Sequence, residues 1–278
     1  MQSTIMQYVT LNNGIKIPIL GFGTYSINDS HTILEAISYG YRLFDTAQMY
    51  GNEHKVGTAI REAIDKMGIK REDFFITTKL SNNMNFQEAK KGIETSLKSL
   101  NSSYIDLILI HEPYPKAKEM YKAMETYYKE GKLKAIGISN FTLHAFKEFI
   151  KTCEIPPAIN QCETHIYYQQ AALLQTMKPY GTILESWSPF IAGKVSKNKN
   201  GFFNDSALEK IAHKYNKSIA QIVLRFFTQQ GIVTIPKASK KEHMQENIDI
   251  FNFNLTKEEI KTIKTFDKNA TQFSWGYQ

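Results

Sequence analysis

Short apolar runs of strand length alternate with amphipathic stretches of helix length along the whole chain, and this alternation most constrains the fold. Strand candidates fall at 19–22, 41–45, 74–79, 105–111, 134–138, 158–162, 182–186 and 232–235. Helical patterns separate and follow them at about 30–39, 53–67, 86–100, 116–130, 142–151, 169–179, 205–229 (in two pieces), 240–250 and 256–266. Asn28-Asp29-Ser30 is a helix start, and Thr256 followed by Glu259 fits a capping box. Strict alternation of this kind implies parallel strands joined by right-handed crossovers. Eight strands alternating with eight helical stretches, with another at 256–266, predict closure into a (β/α)8 TIM barrel rather than an open sheet.

The length agrees, since 278 residues lie near the ~250 typical of that barrel and near the upper limit for one core. No linker, composition break or repeat divides the chain, so residues 1–278 are expected to form a single domain. Ahead of the first barrel strand, Tyr8-Val9-Thr10-Leu11, Asn12-Asn13-Gly14 and Ile15-Lys16-Ile17-Pro18 read as a β-hairpin closing the barrel bottom, because the Asn-Gly pair tolerates a positive φ. Segment 191–204, rich in Lys, Asn and Gly, reads as a long mobile loop of the kind that often serves as a lid.

Composition excludes several function classes. The chain is 42% hydrophobic and 12% aromatic, as in a soluble globular protein, and no stretch approaches the ~20 apolar residues of a membrane helix. Residues Met1–Met6 lack a basic segment followed by an apolar one, so a cytoplasmic protein is expected. Cys153 and Cys162 have neither Cys-x-x-Cys nor His spacing, which makes them reduced structural thiols rather than metal ligands. The net charge of +7 comes from lysines spread along the chain, with local clusters at Lys194-Lys197-Lys199 and Lys237-Lys240-Lys241. Nucleic-acid binding would want a basic stripe interleaved with stacking aromatics, which is lacking; a small anionic ligand is enough to use a few of these lysines.

Chemistry-bearing side chains sit where these strands end. Phe44-Asp45-Thr46-Ala47-Gln48-Met49-Tyr50 carries a carboxylate followed five residues later by a phenol. Phe74-Phe75-Ile76-Thr77-Thr78-Lys79 ends in an amine, Ile105 to His111 in an imidazole, and Ala158-Ile159-Asn160-Gln161 in an amide. Taken singly, Asp45 and Lys79 are more often a solvated charge or a cap, Tyr50 half-buried packing, and His111 a satisfied core histidine. Their joint arrival at strand C-termini reverses that balance, because barrel active sites are built on that face. No Gly-x-Gly-x-x-Gly opens a helix, so the open-sheet dinucleotide fold has no fingerprint, and Gly21-Phe22-Gly23-Thr24 is only a weak Gly-rich turn.

In order and across nearly the whole length, the motifs resemble those of the aldo-keto reductases. They are Phe44-Asp45-Thr46-Ala47 with Tyr50-Gly51-Asn52-Glu53, Thr77-Thr78-Lys79, Tyr104-Ile105-Asp106-Leu107 with Ile110-His111, and Gly131-Lys132 with Ala135 to Phe141. Asn160-Gln161-Cys162-Glu163, Trp187-Ser188-Pro189-Phe190 and Ile235-Pro236-Lys237 through Glu246-Asn247 follow. The chain looks similar to the short-tailed bacterial members, the 2,5-diketo-D-gluconate reductases. The resemblance implies NAD(P)H-dependent reduction of an aldehyde or ketone, with Asp45, Tyr50, Lys79 and His111 as the catalytic four. The chemistry agrees: hydride arriving at a carbonyl carbon leaves charge on oxygen, which needs a proton donor and focused electrostatics. Tyr50 is expected to be the acid, Lys79 to lower its pKa, Asp45 to anchor Lys79, and His111 to orient the carbonyl.

The same resemblance implies the cofactor site. Ser139, Asn140 and Gln161 would hold the nicotinamide carboxamide, and Trp187 would stack on the ring where many members have tyrosine. Gly23, Thr24, Ser188 and Pro189 would line the same site. Lys237, Ala238, Ser239, His243, Glu246 and Asn247 would hold the adenosine end, with Lys237 on the 2′-phosphate. Members that strongly prefer NADPH usually carry serine after that lysine and arginine six positions after it, where this chain has Ala238 and His243. A neutral imidazole lacks arginine's bidentate, permanently charged grip. Ser239, Lys240 and Lys241 are candidates to compensate, so NADPH is expected to be preferred by a reduced margin, with some NADH use.

For the substrate pocket, Tyr25, Tyr50, His111, Glu112 and Trp275 are the expected lining, with Phe273 and Tyr277 beside Trp275 in an aromatic tail. Glu112 stands where the family commonly has tryptophan; facing inward it would disfavour anionic substrates, and it could equally meet solvent or a lysine. A metal-dependent hydrolase would want several strand-end His, Asp or Glu ligands, and only His111 is clear among the histidines, so no metal is expected. A nucleotide sensor on the same fold is the other competing class, and turnover of a carbonyl separates it from an enzyme. A small-molecule substrate and a monomer are expected.

Overall fold

The computed structural model describes residues 6–191 and 201–273. Two strands, β1 (Tyr8–Thr10) and β2 (Lys16–Pro18), pair antiparallel ahead of the barrel. There follow β3 (Phe22–Gly23), α1 (Ser30–Ser38), β4 (Leu43–Asp45), α2 (Glu53–Met67), β5 (Phe75–Leu80), α3 (Phe86–Ser99), β6 (Ile105–Ile110), α4 (Ala117–Lys129), β7 (Leu133–Ser139) and α5 (Leu143–Ile150). The chain continues through β8 (Ile159–Glu163), α6 (Ala171–Met177), β9 (Ile183–Trp187), α7 (Ser206–Tyr215), α8 (Ile219–Thr228), β10 (Val233–Thr234), α9 (Lys241–Ile248) and α10 (Lys257–Lys264). Strands β3 to β10 pair in chain order, all parallel. A parallel bridge from Leu20 to Thr234 joins first strand to last, and reciprocal backbone bonds at Ile19, Gly21 and Thr234 close the barrel.

Local signals account for the boundaries. Asp29 accepts from Thr32 N to cap α1, and Thr256 with Glu259 forms the expected capping box of α10. The hairpin turn contains Asn12, Asn13 and Gly14, with Leu11 N donating to Ile15 O and Gly14 at φ 88°. Only glycine adopts that angle without strain. The first barrel strand is shorter than the apolar run at 19–22, with regular pairing only at Phe22–Gly23. Segment 191–204 is not wholly a loop: Phe202–Asn204 forms a 3-10 turn, and Phe202 is buried against Phe203 and Tyr167. The central part of that segment, with Lys194, Lys197 and Lys199, lies outside the described residues.

Side chains alternate between two cores, as strand period demands. Outward residues such as Phe44, Ile76, Ile108 and Leu184 meet the helices in one cluster. Inward residues Leu43, Phe75, Leu107, Ala135, Ile159 and Val233 fill the barrel, and Leu11 and Ile17 of the hairpin plug its lower end. Two residues further along the same inward faces, apolar gives way to polar: Asp45 after Leu43, Thr77 and Lys79 after Phe75, Gln161 after Ile159, Glu185 after Ile183. All five are buried. Floor and site are therefore one continuous stack, the floor excluding the water that would screen the charges above it.

Candidate active site

Asp45 ends β4 and Lys79 is the penultimate residue of β5, which puts both at the C-terminal mouth of the barrel. Lys79 is fully buried and Asp45 3% exposed. The ammonium Nζ donates to Asp45 Oδ1 at 2.6 Å and to Thr46 O at 3.0 Å, and lies 3.4 Å from Tyr50 Oη. Burial works against the Lys79 charge, but Asp45 first and Tyr50 next outweigh it and hold the amine above its ordinary pKa. Tyr50 closes the 3-10 turn Gln48–Tyr50, which Gly51 terminates at φ 67°. Gln48 fixes that turn by donating to Gly92 O and Ser96 Oγ, and Asn52 ties it to Thr24 O, Ile27 O and the Thr46 hydroxyl.

The phenol departs from expectation. Lys79 does favour the phenolate, but burial raises the Tyr50 pKa by more, so the net shift is upward. The reason is desolvation in a narrow mouth, which no one-dimensional reading of the motif reveals.

His111 follows β6, its N–H bonded to Leu80 O at 3.0 Å. Its ring meets that of Tyr50 edge-on, centroids 5.8 Å apart. Burial, helped by the Lys79 charge, pushes the imidazole down to about 3, so it is neutral at neutral pH. Ser81 Oγ sits 3.0 Å from Nδ1. Tyr25, 62% exposed, packs on Tyr50 with centroids 5.1 Å apart and forms the outer lip.

The expected cofactor residues are gathered around this mouth but are partly committed to one another. Gln161 Nε2 donates to Asp45 Oδ2 at 2.7 Å and to Glu185 Oε2 at 2.9 Å, leaving its carbonyl for a ligand. Ser139 Oγ donates to Gln161 O at 2.9 Å and can still accept. Asn140 donates to His111 O and Glu112 Oε1 and accepts from Trp187 Nε1 at 2.8 Å, so its amide braces the site instead of standing free. Glu112 is half-buried and accepts from Asn140 Nδ2 at 3.2 Å. Trp187 is half-buried at the rim with Phe273 tilted against it, centroids 5.1 Å apart. Asn140 at φ 66° and Ser188 at φ 52° are left-handed non-glycine positions, the strained backbone common at functional rims. Pro189 beside them is buried.

Thr24 is fully buried, its hydroxyl and N–H both donating to Asp45 O, and Gly23 packs on the β10 exit, where a Cβ would lie 2.9 Å from Ile235 O. Past β10, Lys237, Ser239 and His243 are exposed, Ala238 and Asn247 buried, Glu246 between. Helix α9 begins at Lys241 with no side chain capping its first turn, leaving N–H groups available to an anion. Lys241 itself pairs with Glu35 at 2.9 Å and is not a standing substitute for the missing arginine. Trp275 and Tyr277 lie outside the described residues.

Two features escaped the sequence reading. Glu185, fully buried beside Gln161, was legible in principle, since it stands two residues before Trp187 on the same strand face. The second is an anchor for the C-terminal segment: Glu163 accepts from Gln272 N at 2.8 Å and from the Thr271 hydroxyl, and meets His165 Nε2 at 2.8 Å. Burial pushes the Glu163 carboxyl up, but these hydrogen bonds, that with His165 first, hold it below its ordinary pKa. Nothing local links residues this far apart in sequence.

The aldo/keto reductase family model matches residues 20–268. The chain belongs to the aldo/keto reductase family. The reductase is 39% identical to the glyoxal reductase of Bacillus subtilis over 275 residues, covering 97% of this chain and 96% of that one. Among solved structures, the Bombyx mori aldo-keto reductase in complex with NADP superposes with a TM-score of 0.89 at 33% identity, covering 97% of this chain and 95% of that one. The aldo-keto reductase MGS-M4 from a Medee basin deep-sea metagenome gives 0.90 at 36%, covering 97% and 98%. Among the described residues, the reductase has no helix long and apolar enough to cross a membrane and no group of His, Cys, Asp and Glu suited to a metal ion.

Proposed function

We propose that this reductase converts aldehydes or ketones to alcohols with NADPH, Tyr50 donating the proton. The observation that carries the reading is the ammonium of Lys79, fully buried, held by Asp45 at 2.6 Å and set 3.4 Å from the Tyr50 hydroxyl. When bound, the cofactor supplies the hydride. As charge develops on the carbonyl oxygen, the Tyr50 O–H bond breaks toward it, and Lys79 stabilises the phenolate left behind. Because desolvation raises the resting phenol pKa, Lys79 acts by stabilising charge as it forms rather than by keeping Tyr50 ionised. A neutral His111 can donate one hydrogen bond to the same oxygen without adding a second cation beside Lys79.

The residues present fit the cofactor. Gln161 has a carbonyl left over, Ser139 a hydroxyl able to accept, and Trp187 presents a braced aromatic face at the rim. Lys237, Ser239 and the uncapped first turn of α9 suit a 2′-phosphate. His243 in place of an arginine's bidentate fork, and a Lys241 engaged with Glu35, favour a reduced NADPH margin, with NADH accepted. The half-buried carboxylate of Glu112 at the mouth favours neutral carbonyl substrates over keto acids. The protein is read as a cytoplasmic monomer, which gel filtration and fractionation check.

The test is loss of reduced-cofactor absorbance on adding a generic aromatic aldehyde. Turnover that disappears in Tyr50→Phe, with NADPH binding retained, is the expected result. Tight NADPH binding without turnover by the wild type would overturn the reading in favour of a sensor.

A further inference from the structure

Glu185 is a carboxyl group that the reduction scheme leaves unused, in a place where an idle carboxylate is costly. It lies on the inward face of β9 between Ile183 below and Trp187 above, with no exposure. Oε2 accepts from Gln161 Nε2 at 2.9 Å, and Oε1 has no hydrogen-bond partner. The same nitrogen donates to Asp45 Oδ2, so the two carboxyl groups are no farther apart than two hydrogen bonds laid end to end.

The charged groups facing Glu185 are Asp45 from β4 and Lys79 from β5; the flanking strands offer neutral Gln161 and, in register, Val233. Two carboxyl groups therefore share one ammonium, and Lys79 donates to only one of them. Two like charges that close in a dry interior are not both ionised at ordinary pH, and the proton resides on the carboxyl without the ammonium.

We propose that Glu185 is a positioning residue of this active site, held as a neutral acid in the working enzyme, and that its ionisation turns off proton donation by Tyr50 in alkaline solution. The inference rests on the reductase reading above. Neutral Glu185 leaves the Lys79 charge to be shared between Asp45 and Tyr50 alone. Ionised Glu185, its proton gone to solvent, adds a negative charge to the layer, which draws on Lys79 and disfavours the phenolate that must form. Burial, with Asp45 beside it, raises the carboxyl to about 8, inside the range an enzyme assay reaches.

Glu185→Gln is nearly isosteric and permanently neutral, and its amide oxygen can still accept from Gln161. The experiment measures kcat with saturating NADPH and aromatic aldehyde across roughly pH 6 to pH 10, the span that brackets this group and the phenol. Wild-type kcat should fall above about pH 8, by up to about tenfold per pH unit. Glu185→Gln should stay within about threefold of wild type on the neutral side and hold its rate to higher pH. An unchanged alkaline limb would overturn the proposal, because a merely structural glutamate would not move it.

A second measurement needs neither turnover nor a folded variant. Infrared titration of the wild type in the absence of substrate should show a carboxylic-acid C=O band that persists at neutral pH and disappears near pH 8. A site with no such band overturns the proposal even if the enzyme is active. The band in a protein that reduces no carbonyl instead overturns the reductase reading, and with it the role given to Glu185.

Discussion

Asp45 and Lys79 form the buried pair on which the site depends, and replacing each in turn should give unequal costs. The side chains are 4% and 0% exposed and meet at 2.6 Å, and removing one partner of such a pair typically costs about 3–5 kcal/mol. Lys79→Met leaves Asp45 and Glu185 in one dry layer with no cation. That leaves a buried carboxylate uncompensated, at about 4 kcal/mol. Asp45→Asn is different, because Lys79 keeps Thr46 O at 3.0 Å and Glu185 can release its proton and become the counterion. That relief should hold the cost of Asp45→Asn to about 1–3 kcal/mol. The gap of roughly 2 kcal/mol should shrink below about 1 kcal/mol when both changes are repeated with Glu185→Gln, where no substitute carboxylate exists. Urea unfolding at neutral pH reads all the differences. Equal costs in the wild-type background, or a gap that survives Glu185→Gln, would rule out Glu185 as the substitute counterion.

Four further outcomes are expected. Because His111 is neutral down to about pH 3, the kcat/KM profile should lack an acid limb near the ordinary histidine value of about 6.5; such a limb, lost in His111→Asn, sinks the neutral-imidazole assignment. The kcat/KM preference for NADPH over NADH should stay below about a thousandfold, roughly 4 kcal/mol, and Lys237→Ala should erode it by weakening NADPH alone; a larger preference contradicts the reading of Ala238 and His243. Glu163→Gln should loosen the segment carrying Phe273, raising carbonyl KM several-fold while NADPH affinity by fluorescence titration stays level; since the folded carboxyl is held below its ordinary value of 4.5, its contribution to stability is present above that pH and lost as pH falls through the folded value, and matched acid-unfolding curves of variant and wild type would count against the anchor. Gly57→Ala should destabilise by about 1–3 kcal/mol in thermal unfolding, because the new Cβ would lie 2.5 Å from Leu100 O across the α2–α3 contact; an unchanged midpoint would mean that the contact yields freely.

The barrel, its eight strands, the hairpin plug and the identity of the polar groups at the strand ends are all legible along the chain. These are local properties: a strand declares itself by its neighbours, a helix by its period and caps, and a group such as Asp45 or Lys79 by standing where an apolar run stops. Closure decided the rest. Gln161 reaches Asp45 across 116 residues of sequence, so neither its orientation nor its sharing between two carboxyl groups exists until first strand meets last. Glu185 looks like an ordinary strand glutamate until the inward face of β9 is known, and Phe273 becomes a neighbour of Trp187 only because Glu163 receives the tail. Tyr50 differs from its expected acidity for the same reason: the motif supplies the ammonium, but the depth of the mouth supplies the larger, opposing desolvation. Hydrogen bonds and burial between distant segments are set by geometry that the barrel creates, and the charge states of the site follow from that geometry.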